Sequence, residues 1–155
     1  MQVAFRPARH DDLDTLIAFR RELCASDPIP FDDVRARAAI VNLIRDPAWG
    51  RIWLLLDGEA PIGFVALCLG YSLEYYGREA IVDELFIGAS HRGQGIGRRA
   101  MAHVETEARA LGVHALHLVV ETWNVPALEL YRRVGYQAHD RYLMTKWLVS
   151  VRSPG

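Results

Sequence analysis

One stretch limits the fold more than any other. Residues 80–88 read AIVDELFIG, residues 90–99 read SHRGQGIGRR, and a helical pattern then runs to Gly112. The first segment is apolar and strand-like. In the last, Met101, Val104, Ala108 and Leu111 recur at helical spacing. A strand that feeds a long helix needs a sheet for that helix to cover, and the next strand-like run, HALHLVV (114–120), completes a crossover. Between them lie Gly93, Gly95 and Gly97, interleaved with Arg92, Arg98 and Arg99. Glycine buries no side chain, so this loop gives up packing for something else. The N–H groups of residues 93 to 98 have no partner inside the helix. Glycine lets such a backbone approach a ligand closely, and the helix dipole favours an anion there. Arg92 and Arg98 supply charge-assisted contacts.

The rest of the chain supplies the sheet. Residues 2–6 form a short strand, and Asp11 or Asp12 opens a helix with Leu13, Leu16, Ile17 and Leu23 on one side. SDPIP (26–30) breaks it. Asp32 or Asp33 opens a second helix, with Val34, Ala38, Val41 and Ile44 as its expected inner stripe. RIWLLLD and PIGFVALCLGY are two strands joined by the turn GEA, and AIVDELFIG is the fourth strand. After HALHLVV, Asn124 caps a helix with Pro126 in its first turn and Ala127, Leu130, Tyr131 and Val134 on its inner face. YQAHDRYLMTKWLV (136–149) reads as a closing hairpin. The order β-α-α-β-β-β-α-β-α-β-β predicts one α/β (α+β) domain over residues 1–155. Its architecture is a three-layer sandwich: a mixed, mostly antiparallel sheet of six to seven strands with helices on both faces.

Composition narrows the partners. The net charge is −1, which disfavours a general nucleic-acid binder. Of 18 basic residues only Lys146 is a lysine. No run approaches the ~18 apolar residues of a membrane span, and the N-terminal stretch has no signal-peptide core. Cys24 and Cys68 sit in apolar segments with no partner at metal-ligand spacing, as expected of reduced thiols in a cytoplasmic protein. The six histidines show no metal spacing either, so no metal site is expected.

The glycine loop admits three readings. A plain strand-to-helix turn needs neither three alternating glycines nor flanking arginines. Gly95-Ile96-Gly97-Arg98-Arg99-Ala100 fits the G-x-G-x-x-A pattern of a dinucleotide site, with Glu121 as a ribose-binding acid. That fingerprint normally follows its strand at once and opens a domain, whereas GASHRGQ intervenes here. A Walker A loop needs Gly-Lys-Ser/Thr, which is absent. The third reading is a pyrophosphate site at a helix N-terminus.

RGQGIG after a strand and before a helix resembles the Arg/Gln-x-x-Gly-x-Gly/Ala loop of the GNAT acyl-CoA N-acyltransferases, with Arg92, Gly95 and Gly97 at the matching places. WNVPALELYRRVGY resembles a second segment of that family, Asn-x-x-Ala-x-x-x-Tyr-x-x-x-Gly-Phe/Tyr, through Asn124, Ala127, Tyr131, Gly135 and Tyr136. FRPARHDDLDTL is similar to the family's first strand and helix. The resemblance implies acetyl-CoA, or another acyl-CoA, as donor and an amine as acceptor. It implies that Leu85, Phe86 and Ile87 lend main-chain groups to the pantetheine arm and that strands four and five splay apart to admit it. It places the pyrophosphate over Gly93, Gln94, Gly95, Ile96, Gly97 and Arg98, and Asn124 and Ala127 along the CoA arm.

For the reaction, the resemblance implies Tyr131 as the acid that protonates the leaving thiolate. A phenol keeps its proton at neutral pH and suits that task. Asp83 and Glu84 are both candidates for the base. Neighbours on a regular strand face opposite sides, so only one should reach the site unless a bulge intervenes. Polyamine acetyltransferases of the family favour the first acid of such a run, and many other members favour the second. Tyr71, Glu74, Tyr75 and Tyr76, in the turn before the fourth strand, are expected to hold a cationic acceptor by charge and cation–π contact. The expected acceptor is a small primary amine, polyamine-like or amino-acid-like. A protein N-terminus or lysine, a catalytically silent CoA-binding module, a Rossmann-type nucleotide enzyme and a homodimeric state all remain open at this level.

Overall fold

The computed structural model describes residues 2–25 and 30–149. The strands are β1 (Val3–Pro7), β2 (Gly50–Asp57), β3 (Ala60–Ser72), β4 (Gly77–Ile87) and β5 (Ala115–Leu118). The helices are α1 (Leu13–Leu23), α2 (Asp33–Arg45), α3 (Ile96–Ala110) and α4 (Val125–Arg133). The break expected at SDPIP lies outside the described residues except for Pro30.

The strands lie in one sheet in sequence order, β1 to β5. The first four are antiparallel to their neighbours, and β5 joins β4 in parallel, as the crossover through α3 requires. Antiparallel hairpins followed by one βαβ unit give the mixed sheet that the element order implied. Helix α3 covers one face. Its Ile96, Ala100, Met101, Val104 and Ala108 are buried against Val65 and Leu67 of β3 and Ala80 and Val82 of β4. Helices α1 and α2 cover the other face, where Leu16, Ile17, Ala36 and Ile40 meet Ile52, Leu54, Phe64 and Phe86. Each of the larger of these, from valine upward, contributes roughly 1.5–3 kcal/mol on burial. Phe19 of α1 lies 5.2 Å from Phe86 and 6.4 Å from Phe64, ring centroid to centroid, and fixes α1 over β3 and β4.

Two expectations are corrected. The inner stripe of α2 is Ala36 and Ile40, with Leu43 and Ile44 beside them, while Val34 is 78% exposed. The helix is thus rotated from the expected stripe, because it packs against α1 and β2 together. The sheet has five strands among the described residues, not six to seven. Residues 136–149 form no ladder, and Tyr142, Met144 and Leu148 stand in solvent. Of its apolar residues, Tyr136 packs against the α3-side core, while the runs 142–144 and 147–149 are exposed. Strand β5 is also shorter than HALHLVV implied, and all four of its residues are only half-buried.

Candidate active site

Strands β4 and β5 pair over only four residues, from Glu79 with Ala115 to Val82 with Leu118. Beyond Val82, β4 runs on to Ile87 while β5 has ended. The strands part at this point, as the splay expectation requires. Leu85, Phe86 and Ile87 pair with Val65, Phe64 and Gly63 on the β3 side and have no ladder partner on the other among the described residues. A cavity of about 1410 Å³ lies beside the paired stretch, between β5, α3, α4 and the segment from Tyr136 to Leu143; Glu79, Ala80 and Ile81 of β4, Leu118, Arg98 and Tyr131 are in its wall.

At the far end of that edge stands the glycine loop. After a single turn at Ala89–His91, Gly93 and Gly95 adopt φ of 75° and 77°, the left-handed region that side chains with a Cβ resist. A Cβ on either would meet nothing within 4 Å, so their need is conformational and the space above them is open. Gly97 differs: a Cβ there would lie 2.9 Å from Leu130, where α3 crosses α4 closely. Gly95 caps α3, and the amides of residues 96, 97 and 98 open the helix with no carbonyl a turn behind them. Arg98 lines the large cavity. Arg92 turns back: its Nε donates to the Ile87 carbonyl at 2.8 Å and its guanidinium lies 5.9 Å from the Phe86 ring. It braces the loop against the end of β4. Gln94 donates to the Ser90 carbonyl at 3.1 Å.

Helix α4 closes the opposite wall. The Asn124 side chain accepts from the Ala127 amide at 3.3 Å, the N-cap its sequence context implied. Tyr131 is half-buried against the α3-side core, 5.9 Å from the Tyr136 ring. Burial raises the Tyr131 phenol above its ordinary value. Burial, helped by the charges of Tyr131 and Glu105, pushes Tyr136 up to about 12. Both rings therefore keep their protons at neutral pH.

The two carboxylates lie where the strands part. The β3–β4 register pairs Ala66 with Glu84 and Leu67 with Val82, so Asp83 is an extra residue, a β-bulge. The bulge overrides the alternation of a regular strand. Asp83 and Glu84 both line a cleft of about 110 Å³ on the α1–α2 side, with Leu16, Arg20, Ile40, Leu43 and Phe64. Their environments differ. Glu84 takes a two-pronged ion pair from Arg20 of α1, with Nε to Oε2 at 2.7 Å and Nη2 to Oε1 at 2.6 Å. Burial works against the Arg20 charge, but Glu84 outweighs it and holds the guanidinium above its ordinary value, with smaller help from Cys24 and Asp83. Asp83 is exposed and has no hydrogen bond or ion pair among the described residues. Cys68, across β3, has its thiol pushed up to about 11 by burial and by the charges of Asp83 and Glu84. It stays a thiol at neutral pH and is no nucleophile.

The turn residues expected to hold a cation precede β4, and Tyr75 of that turn lines the large cavity. Tyr71 is exposed, and Glu74 is held by Arg141 at 2.6 and 3.1 Å. Tyr75 rests 4.6 Å from the His117 ring, and its carbonyl is 3.2 Å from Nδ1 of His114. They stand beside the start of β5, and the Asp83–Glu84 bulge lies well along β4 from them. His117 Nε2 is 3.2 Å from Glu79 but is not aligned for a hydrogen bond. Among the described residues, no three His, Cys, Asp or Glu side chains are grouped to hold a metal ion. No helix among them is long and apolar enough to cross a membrane.

Arg20 is the site residue that sequence reasoning missed. Its partner is 64 residues away, and nothing in the α1 pattern separates it from Arg21. Antiparallel pairing through β4 also removes the dinucleotide reading, which needs a parallel doubly wound sheet.

The chain matches the Acetyltransferase (GNAT) family over residues 16–136. It is 35% identical to the streptothricin acetyltransferase of Streptomyces lavendulae over 80 residues, 52% of this chain and 40% of that protein. It therefore spans less than half the length of this curated relative. It is 29% identical to the peptidyl-lysine N-acetyltransferase YjaB of Salmonella typhimurium, covering 91% of this chain and 88% of that protein. Among solved structures, an integron cassette protein from the mobile metagenome of Cole Harbour Salt Marsh superposes with a TM-score of 0.83 at 29% identity, over 94% of this chain and 91% of that one. A predicted acetyltransferase from Clostridium acetobutylicum, solved with acetyl-CoA, shares the fold at a TM-score of 0.78 and 19% identity, over 94% and 96% of the two chains.

Proposed function

Because the chain belongs to the acetyltransferase (GNAT) family, we propose that it moves an acetyl group from acetyl-CoA to the primary amine of a small molecule, by direct attack within a ternary complex. The observation that carries this reading is the parting of β4 from β5 at the Asp83 bulge, with the glycine loop at one end of the opened edge and Tyr131 in the wall of the cavity beside the paired stretch.

The donor lies along the opened edge. Main-chain groups of Leu85, Phe86 and Ile87 receive the pantetheine arm as a neighbouring strand would. Gly93, Gln94, Gly95, Ile96 and Gly97 present amides to the pyrophosphate, and Arg98 adds charge. The open space over Gly93 and Gly95 fits that group. Arg92 acts through its brace on Ile87. Asn124 and Ala127 shape the α4 wall beside the arm.

The acceptor enters from the α1–α2 side. A primary amine is largely protonated at pH 7 and must lose a proton before it attacks. Asp83, the unpaired carboxylate, holds the ammonium group and takes its proton, directly or through one water. Glu84, already committed to Arg20, shapes the cleft. The amine nitrogen bonds to the thioester carbon, the carbon–sulfur bond breaks, and Tyr131 hands its phenolic proton to the departing sulfur. Burial of Tyr131 keeps that proton in place at working pH. The raised Cys68 thiol agrees with transfer that uses no acyl-enzyme.

The test is a panel of primary amines with acetyl-CoA, read by thiol release and by mass spectrometry of the product. Acetylated amine with stoichiometric thiol is the expected result. Acetyl-CoA binding with no turnover on any amine would leave a silent CoA-binding module instead. The peptidyl-lysine relative, matched along most of both chains, makes a lysine-containing peptide a necessary member of the panel.

A further inference from the structure

Two adjacent acids at the mouth of one cleft would suit an acceptor with two positive charges. The ion pair changes that count. Arg20 covers both oxygens of Glu84, its Nε at 3.0 and 2.7 Å and its Nη2 at 2.6 Å, and both side chains are about four-fifths buried. A two-pronged, partly desolvated guanidinium–carboxylate pair is a strong one, and its net charge is zero. Phe19, the residue before Arg20, is wedged against Phe64 and Phe86, so α1 holds the guanidinium in place. Asp83 is left as the one uncommitted carboxylate of the cleft. Beneath it the floor is apolar, built from Leu16, Ile40, Leu43 and Phe64. At about 110 Å³ the cleft is well below the roughly 300–1,000 Å³ that encloses a whole drug-sized ligand, so it admits one end of a small substrate.

We infer that Arg20 determines acceptor class: by neutralising Glu84 it selects amines with a single positive charge and an aliphatic stem over diamines and polyamines. The inference rests on the acetyl-transfer reading above and narrows its substrate. A second ammonium group in this cleft would meet apolar wall and the Arg20 charge. Removing the guanidinium frees a second carboxylate one residue from Asp83 and supplies the missing partner.

The test compares n-butylamine with 1,4-diaminobutane as acceptors for the full chain, with acetyl-CoA saturating. Wild type is expected to favour the monoamine at least tenfold in kcat/KM. Arg20→Gln is expected to shift that ratio at least tenfold toward the diamine. Arg20→Lys, which keeps the charge, should hold the ratio near wild type. The double variant Arg20→Gln with Glu84→Gln should return to the monoamine preference, because the freed carboxylate is gone. A wild-type preference for the diamine overturns the inference even if no variant folds. So does an unmoved ratio in folded Arg20→Gln, checked by its thermal unfolding. In both cases acetyl transfer itself would stand, whereas thiol release with no amine at all would remove the parent reading too.

Discussion

The two sides of β4 are built from different materials. Its edge toward β5 is main chain: unpaired strand from Asp83 to Ile87, then a loop in which Gly93 and Gly95 turn left-handed. Its face toward α1 and α2 is side chain: two carboxylates, one guanidinium and an apolar floor. A backbone site suits a ligand used in the same form every time, since amides offer the same contacts whatever the surrounding sequence. A side-chain site can be retuned by one substitution. On the proposed function, the invariant donor takes the edge and the variable acceptor takes the face.

That division can be broken in order of expected effect. Tyr131→Phe should lower turnover by roughly 10–10³-fold, as loss of a general acid does, and leave the fold and acceptor ranking intact. A well-folded variant with near-normal turnover would remove the phenol from the mechanism. Asp83→Asn should cost on the order of 10²-fold in kcat/KM for the amine, again within the general acid–base range, with acetyl-CoA affinity unchanged. Weaker acetyl-CoA binding in that variant would mean that the edge and the face are not separate. Gly95→Val should do the reverse. Forcing a Cβ into the left-handed region costs about 1–2 kcal/mol, so titration calorimetry should show CoA affinity falling by about 5–30-fold while the monoamine–diamine ratio holds.

The smallest effect lies on neither side. His103 of α3 is stacked 4.5 Å from Phe5 and edge-on to Trp53 at 5.2 Å, with Nε2 buried and without a hydrogen-bond partner among the described residues. Burial lowers its basicity, and Glu107 only partly opposes that. Fewer protons are then bound in the folded state than in the unfolded one near the imidazole range. This contribution to stability is present above the unfolded value of about 6.5 and is lost as pH falls through the folded value. His103→Phe should flatten that acid-side decline in the unfolding midpoint while donor affinity and acceptor ratio stay as they were. An unchanged decline would place its origin elsewhere.

The same division explains what could be read from the residues. The glycine loop was legible because a left-handed turn and open amides demand glycine at fixed spacing, and Asn124 because an N-cap is a local bond. The splay of β4 and β5 followed from the resemblance that those motifs carry. The bulge was not legible. Asp83 and Glu84 look like any strand pair, and only the register against Ala66 and Leu67 shows that both face one cleft. Arg20 was hidden for a related reason: its role depends on a contact across 64 residues. The Glu74–Arg141 ion pair was not legible either, because Arg141 comes from a segment read as a hairpin. That segment, 136–149, is rich in apolar and aromatic residues, but such composition records a capacity to pair and not the presence of a neighbour.

The central claim is that donor and acceptor occupy different sides of β4 at once and react directly. An initial-velocity matrix, varying acetyl-CoA and n-butylamine together, tests it most directly. Lines that intersect in the double-reciprocal plot are the predicted result. Parallel lines, with acetyl-enzyme trapped when amine is withheld, would mean a covalent intermediate and contradict the account.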